Sequence, residues 1–286
     1  MSRHLFAAVA AVAAVAAGAA LALSSPALAN EDAALKSAIA SPGRTAENVA
    51  RDAHRHPYET LTFWGLKPGL TVVEISPGGG YWTEILAPYA KATDGRYVAG
   101  VADLDNPSLS EGARKGRAAF EARFADPARY GTIAYANFGA SSKPLGAPGS
   151  ADMVITARNI HNWMWQEGML DKAMADFHAV LKPGGVLAVE EHRADPRPQV
   201  AEARDGYVST AAVVAAAEKA GFKLQDQSEI NANPKDTKDH PFGVWTLPPT
   251  RQSAERGKDP APDFDRARYD AIGESDRMTL RFVKAG

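Results

Sequence analysis

The 286-residue sequence contains no cysteine. Disulfides, thiolate metal ligands and lipid attachment at an N-terminal cysteine are therefore excluded, and stability must come from the apolar core and its polar contacts. Charge of either sign is scarcely in excess: 32 Lys and Arg stand against 34 Asp and Glu, a formal net charge of −2. No basic surface for nucleic acid follows from that balance. After residue 29 no apolar run is long enough to span a bilayer. Internal repeats are absent, and the length suits one domain with a substantial core.

What is present begins with a leader. Arg3 and His4 precede an Ala/Val/Leu run from Leu5 to Leu23, and Ala27-Leu28-Ala29 follows with small residues at the right spacing. The pattern predicts a cleaved secretory signal over residues 1–29, cut after Ala29, and a periplasmic or secreted protein with no membrane span after cleavage. Residues 30–65 then form an N-terminal helical segment. Ser41-Pro42-Gly43 interrupts it, Ala46 to Arg55 resumes it, and Tyr58 to Trp64 is a short aromatic helix.

From residue 66 strands and helices alternate, the signature of a parallel α/β sheet. Strands are expected at Thr71–Ile75, Arg96–Val101, Gly131–Ala136, Ala151–Thr156, Val186–Glu190 and Phe222–Ser228, with a last strand at Met278–Val283. Helices are expected at Tyr81–Tyr89, around Glu111–Phe124, around Gly168–Leu181 and at Thr210–Ala220. Residues 231–273 read as a long loop held down by Trp245 and Leu247. A loop of that length in a compact domain is functional or disordered.

The densest signal is Val72-Val73-Glu74-Ile75-Ser76-Pro77-Gly78-Gly79-Gly80-Tyr81. A β-branched strand ends in an acid and runs through a glycine turn into a helix, which builds a ligand pocket at the carboxyl edge of a parallel sheet. Thr83 occupies the third glycine position of a dinucleotide fingerprint, and the Gly-Lys-Ser/Thr of a phosphate loop is missing.

That segment, together with Leu66-Lys67-Pro68-Gly69, Ser150-Ala151-Asp152-Met153-Val154-Ile155 and Leu181-Lys182-Pro183-Gly184-Gly185, resembles the class I S-adenosylmethionine-dependent methyltransferases in order and spacing. With Asn231 to Asp236 and Gly273 to Met278 added, the chain looks like a group of exported bacterial proteins classed as predicted methyltransferases. The resemblance implies a Rossmann-like sheet, mostly parallel with an antiparallel last strand and helices on both faces. It implies S-adenosyl-L-methionine as cofactor and a small or envelope-associated methyl acceptor. It places Glu74 near the cofactor's amino group and Gly78 and Gly80 beneath its methionine and ribose. Ser76 stands where the family has its first glycine. Asp103 follows the second strand about two residues later than the family's ribose-binding acid. Asn137 and Phe138, just after the third strand, fall where the family contacts adenine, and Arg158 and Asn159 fall where it faces the sulfonium.

Three polar clusters carry candidate chemistry. Arg158-Asn159-Ile160-His161-Asn162-Trp163 follows the fourth strand: His161 is a candidate base, Asn159 a further catalytic candidate and Trp163 a packing surface, unless His161 and Asn162 merely cap the next helix. Glu190-Glu191-His192-Arg193 ends the fifth strand, where paired carboxylates beside His192 would position it, unless the run is a solvated charge cluster. Asn231–Lys238 with Asp239-His240 would supply a lid, or else a surface loop. His161, His192 and His240 lack the local spacing of metal ligands, so no metal site is expected and metal-dependent hydrolysis is the least favoured reading. A non-catalytic ligand-binding protein on the same fold is the stronger alternative.

Overall fold

The computed structural model describes residues 32–196 and 198–285. The signal segment expected over residues 1–29 lies outside them. No described helix is long and apolar enough to cross a membrane.

Four short helices come first: α1 (Ala33–Ile39), α2 (Ala46–Val49), α3 (Asp52–Arg55) and α4 (Pro57–Trp64). The alternation follows as β1 (Thr71–Ile75), α5 (Thr83–Ala92), β2 (Arg96–Ala102), α6 (Glu111–Arg123), α7 (Pro127–Tyr130), β3 (Ala134–Phe138) and β4 (Ala151–Ala157). Then come α8 (Ile160–Trp163), α9 (Met169–Val180), β5 (Leu181–His192), α10 (Thr210–Lys219) and β6 (Phe222–Ser228). A four-residue strand outside the sheet, β7 (Pro241–Val244), precedes α11 (Arg266–Ile272) and β8 (Arg277–Lys284).

The sheet has seven strands in the order β3-β2-β1-β4-β5-β8-β6. The first five pair in parallel, and β8 runs antiparallel between β5 and β6. The fold is the Rossmann-like arrangement expected, with helices on both faces. Strand alternation sorts the core. Val73, Ile75, Val154, Leu187 and Val189 face Met174, Phe177 and Val180 of α9 and Val213 and Ala217 of α10. Val72, Met153, Ile155 and Ala188 face Leu61 and Trp64 of α4 and Ile85, Leu86 and Tyr89 of α5. Each Val, Leu, Ile, Phe or Met side chain among them, fully buried, contributes about 1.5–3 kcal/mol relative to exposure. The N-terminal helices therefore share the apolar layer of α5.

Two boundaries differ from expectation in ways that matter for the site. Gly131 does not open β3. It caps α7 at φ 67, and the strand starts at Ala134. Asn137 and Phe138 are thus the last two residues of β3, opposite Val101 and Ala102, rather than residues beyond it. Likewise β5 continues through His192. Glu190 and Glu191 are then strand residues whose side chains leave opposite faces, so they are not a pair serving His192, and both are fully buried rather than solvated.

The 231–273 segment is packed as far as Leu247, whereas residues 255–263 are exposed. The Asn231 amide donates to Thr60 Oγ1 and Thr279 Oγ1, each at 3.0 Å. Asp236 accepts from the Tyr207 hydroxyl at 3.0 Å and from the Asp276 amide at 2.8 Å, and His240 Nε2 lies 2.8 Å from it. These bonds fix His240 inside a buried polar knot rather than on a lid surface. Trp245 packs near Trp165, ring centroids 5.7 Å apart.

Candidate functional site

The site forms where β1 and β4, neighbours in the sheet, run out into loops. Ser76 and Arg158 follow these strands with left-handed backbones, φ 50 and φ 60. For residues with a Cβ this conformation costs about 1–2 kcal/mol, so the surrounding structure must impose it. Asn159 fastens the two strand ends: its amide donates to Ile75 O at 3.0 Å and to Thr156 Oγ1 at 3.3 Å.

Two cavities open at this junction, and Ser76, Pro77, Gly78 and Asn159 line both. The larger is about 500 Å³ and mainly apolar, with Val101, Phe120, Phe138, Trp163 and Met169 among its walls. That volume lies within the range of small-molecule sites. The smaller is about 210 Å³ and is walled by Arg51, Arg55, Glu74, Tyr81, Trp82 and Arg158.

The smaller cavity is electrically unusual. Glu274 accepts from Arg51 Nε at 2.8 Å, Arg55 Nε at 2.9 Å and Arg277 Nη1 at 2.6 Å. Arg277 Nε also lies 3.1 Å from Glu190 Oε1. Burial opposes the charge on Glu274, yet Arg55, Arg277, Arg158 and Arg51 together hold its carboxyl well below the usual range. Burial and the repulsion of Arg158 bring the Arg55 guanidinium down to about 9. Four arginines stand against Glu190, Glu274 and Glu74, so positive charge is in excess by one with all three acids ionised. Arg51 Nη2, Arg55 Nη2 and Arg158 Nε are buried without a hydrogen-bond partner. Buried charges are normally paired, so an anionic group fits this cavity. The Tyr81 ring is sandwiched into the same cluster, with Arg55 4.4 Å and Arg51 5.6 Å from its centroid.

Glu74 provides the opposite sign. Its Oε2 accepts from Thr83 Oγ1 at 2.9 Å and from the Tyr97 hydroxyl. Burial pushes its carboxyl up to about 7, against the pull of those two donors. A cation placed beside it would restore ionisation.

The other predicted residues take varied places. Gly78 lines both cavities with φ 56. Gly80, at φ 77, borders neither; a Cβ there would lie 2.4 Å from the Phe124 ring, so this glycine serves packing against the end of α6. Asp103 follows β2 directly and accepts from the Asp105 amide at 3.0 Å; it adjoins Ala102 and Gly139 of the larger cavity but lines neither cavity itself. Phe138 lines the larger cavity, whereas Asn137 is held by Arg117 Nη1 at 2.6 Å and does not. His161 is buried with Nδ1 3.0 Å from Glu191 Oε1, and His192 Nδ1 lies 2.6 Å from Ser275 Oγ. The two rings are neighbours, centroids 5.2 Å apart. Burial, with His161, Arg158 and Arg277 nearby, keeps His192 well below the usual histidine range.

Arg51, Arg55, Glu274 and Arg277 were not singled out from sequence. Arg51 and Arg55 are spaced i, i+4, which puts both on one helical side, and that spacing was the available signal.

No family model matches the chain, and no curated protein matches it. Among solved structures, the [4+2]-cyclase SpnF is similar with a TM-score of 0.53 at 14% identity, over 82% of each chain. A S-adenosylmethionine-dependent methyltransferase from Aquifex aeolicus gives 0.48 at 19% identity, over 65% of this chain and 89% of that one. Another from Mesorhizobium loti gives 0.45 at 14% identity, over 79% and 96%. The likeness is one of fold.

Proposed function

We propose that this protein is a S-adenosylmethionine-dependent methyltransferase, exported by its N-terminal leader and acting on a small or envelope-associated acceptor. The observation that carries the reading is the pair of cavities meeting across the glycine turn. One is large and apolar, with Phe120, Phe138 and Trp163 to receive a planar base. The other offers unpartnered guanidinium nitrogens and a carboxylate. A ligand with a nucleoside at one end and an amino-acid zwitterion at the other matches both, and S-adenosylmethionine has that form. Arg51, Arg55 and Arg158 would hold its carboxylate, Glu74 its ammonium, and Ser76 and Gly78 the stretch between.

When bound, this cofactor supplies an electrophilic methyl group. The protein's task in such a displacement is chiefly alignment. Asn159, tied to Ile75 and Thr156, keeps the two cavities in register. Glu191 fixes the ring of His161, which leaves Nε2 as the nitrogen with a lone pair. Export rests on Arg3, His4, Leu5 to Leu23 and Ala27-Leu28-Ala29.

Asp103 favours a second reading, a binding protein without transfer, because its Oδ1 closes a turn and the residue is not among those that line the larger cavity. Calorimetric titration of the purified protein with S-adenosylmethionine tests both. Saturable binding is expected, weakened in Glu74→Ala. Absence of heat at millimolar ligand would overturn the cofactor assignment. Binding without methyl release to any acceptor in an extract of the cell envelope would favour the second reading.

A further inference from the structure

A second polar centre, bordered by Arg158 and Arg277, lies where β4 passes into α8 and where β5 ends. His161 and His192 are both buried there, side by side. Each ring is fixed through Nδ1, the first by Glu191 Oε1 and the second by Ser275 Oγ. Glu191 is itself fixed. Its Oε2 accepts from the amides of Ile160 at 2.6 Å and His161 at 3.2 Å, and its Oε1 from the amide of His192 at 2.8 Å. With these bonds the carboxylate is filled, so its role is to orient His161. Donor atoms from His161, Glu191 and His192 all lie within 4.8 Å of one another.

A single imidazole fixed by a carboxylate would suit a proton acceptor. Two adjacent imidazoles, each fixed through one nitrogen, have the pattern of metal-bound histidines, whose second nitrogen is held by a carboxylate, a backbone carbonyl or water; for His192 a serine hydroxyl takes that place. Trp165 and Trp245 flank His161, with centroids 6.3 and 5.9 Å away, and form an apolar shell around it. Such a shell keeps bulk water from competing for an ion.

We propose that His161 and His192 bind one divalent transition-metal ion of the zinc or cobalt class through their Nε2 atoms, with Glu191 and Ser275 as the residues that position them. Imidazole is a good ligand for these ions. Two protein ligands leave the remaining positions to water or to an oxygen of a bound small molecule. The site uses neither the arginine cavity nor Glu74, so cofactor binding does not depend on it; it does take His161 Nε2, which then serves the ion and not as a proton acceptor.

The test is titration of chelator-stripped protein with cobalt(II), read by visible absorption, and with zinc(II), read by competition with a chromogenic chelator. One equivalent is expected to bind. His161→Gln and His192→Gln should each lose at least a hundredfold in affinity, and Glu191→Gln about tenfold. His178→Ala, a histidine on α9, should change nothing. Failure of folded protein to bind either ion at 1 mM overturns the proposal, as does binding that survives both glutamine replacements. If a replacement unfolds the chain, a crystal of the unaltered protein soaked in zinc decides the matter. An anomalous peak about 2.0–2.1 Å from both Nε2 atoms is the expected result, and its absence there counts against the site.

Discussion

Ser76 and Arg158, at the ends of two hydrogen-bonded neighbouring strands, both adopt left-handed backbones and both line the 210 Å³ cavity. Strain at two adjacent positions facing one space is what a ligand-holding edge shows. Arg158 also carries a buried Nε without a partner. These two properties can be separated by substitution.

Arg158→Gly removes the guanidinium while relieving the backbone, and Arg158→Ala removes it and keeps the strain. Both are expected to weaken S-adenosylmethionine binding by roughly 10- to 100-fold, the worth of a charged hydrogen bond. The glycine variant should be the more stable of the two by about 1 kcal/mol. Calorimetry and chemical denaturation read the two effects. Unchanged affinity in both would remove Arg158 from the carboxylate site.

Glu74 should make stability and binding depend on pH in opposite directions. Its folded pKa is raised from 4.5 to about 7. The stabilisation tied to the protonated form is complete below 4.5 and lost as pH rises through 7, up to about 3 kcal/mol. Denaturation of Glu74→Gln between pH 4 and 8 should show a flatter profile than the parent. Binding of a cationic ammonium beside Glu74 requires the ionised form, so affinity should increase from pH 6 to 8 in the parent and not in the variant. Parallel pH profiles for the two proteins would contradict this assignment.

Glu274 anchors three guanidinium groups. Glu274→Gln leaves them with Glu190 as their remaining acid in a buried setting, at a cost of about 3–5 kcal/mol. Since the folded pKa lies below the ordinary value, the contribution is present above about pH 4.5 and lost as pH falls toward the folded value. Denaturant melts at pH 7 and pH 3 should therefore differ more in the parent than in the variant.

The glycines of the turn should not be equivalent. An alanine at Gly80 would place Cβ 2.4 Å from the buried Phe124 ring on a backbone at φ 77. The expected cost is roughly 3 kcal/mol. At Gly79 a Cβ meets nothing within 4 Å, and Gly79→Ala should change stability by less than about 0.5 kcal/mol. Equal melting temperatures for the two variants would refute the packing account of Gly80.

The elements with strong local signals were legible in the sequence. Thr71–Ile75 falls where its β-branched run puts it, bounded by Gly69 and Pro77-Gly78, and Phe222–Ser228 begins where Gly221 ends the preceding helix. Gly131 misled, since the same glycine that can open a strand can end a short helix, and only the Asp126 cap on Ala128 distinguishes the two. The division of Glu190 from Glu191 was hidden by a strand that runs two residues further than expected. Arg51 and Arg55 look like ordinary exposed helix charges until Glu274, more than 200 residues away, is brought against them. Such partners follow from tertiary folding and leave no local trace.

The position of β8 has a kinetic consequence. It enters the sheet between β5 and β6, and β6 pairs with no other strand of the sheet. Residues 222–228 therefore have no edge to join until residues 277–284 have docked on β5. Two strands wait on one late, non-local event, a topology that slows folding. Glu274, Ser275 and Arg277 arrive with that same event. The arginine cavity and the paired histidines would then be completed together, in the last stage of assembly rather than by the early pairing of β1 with β4.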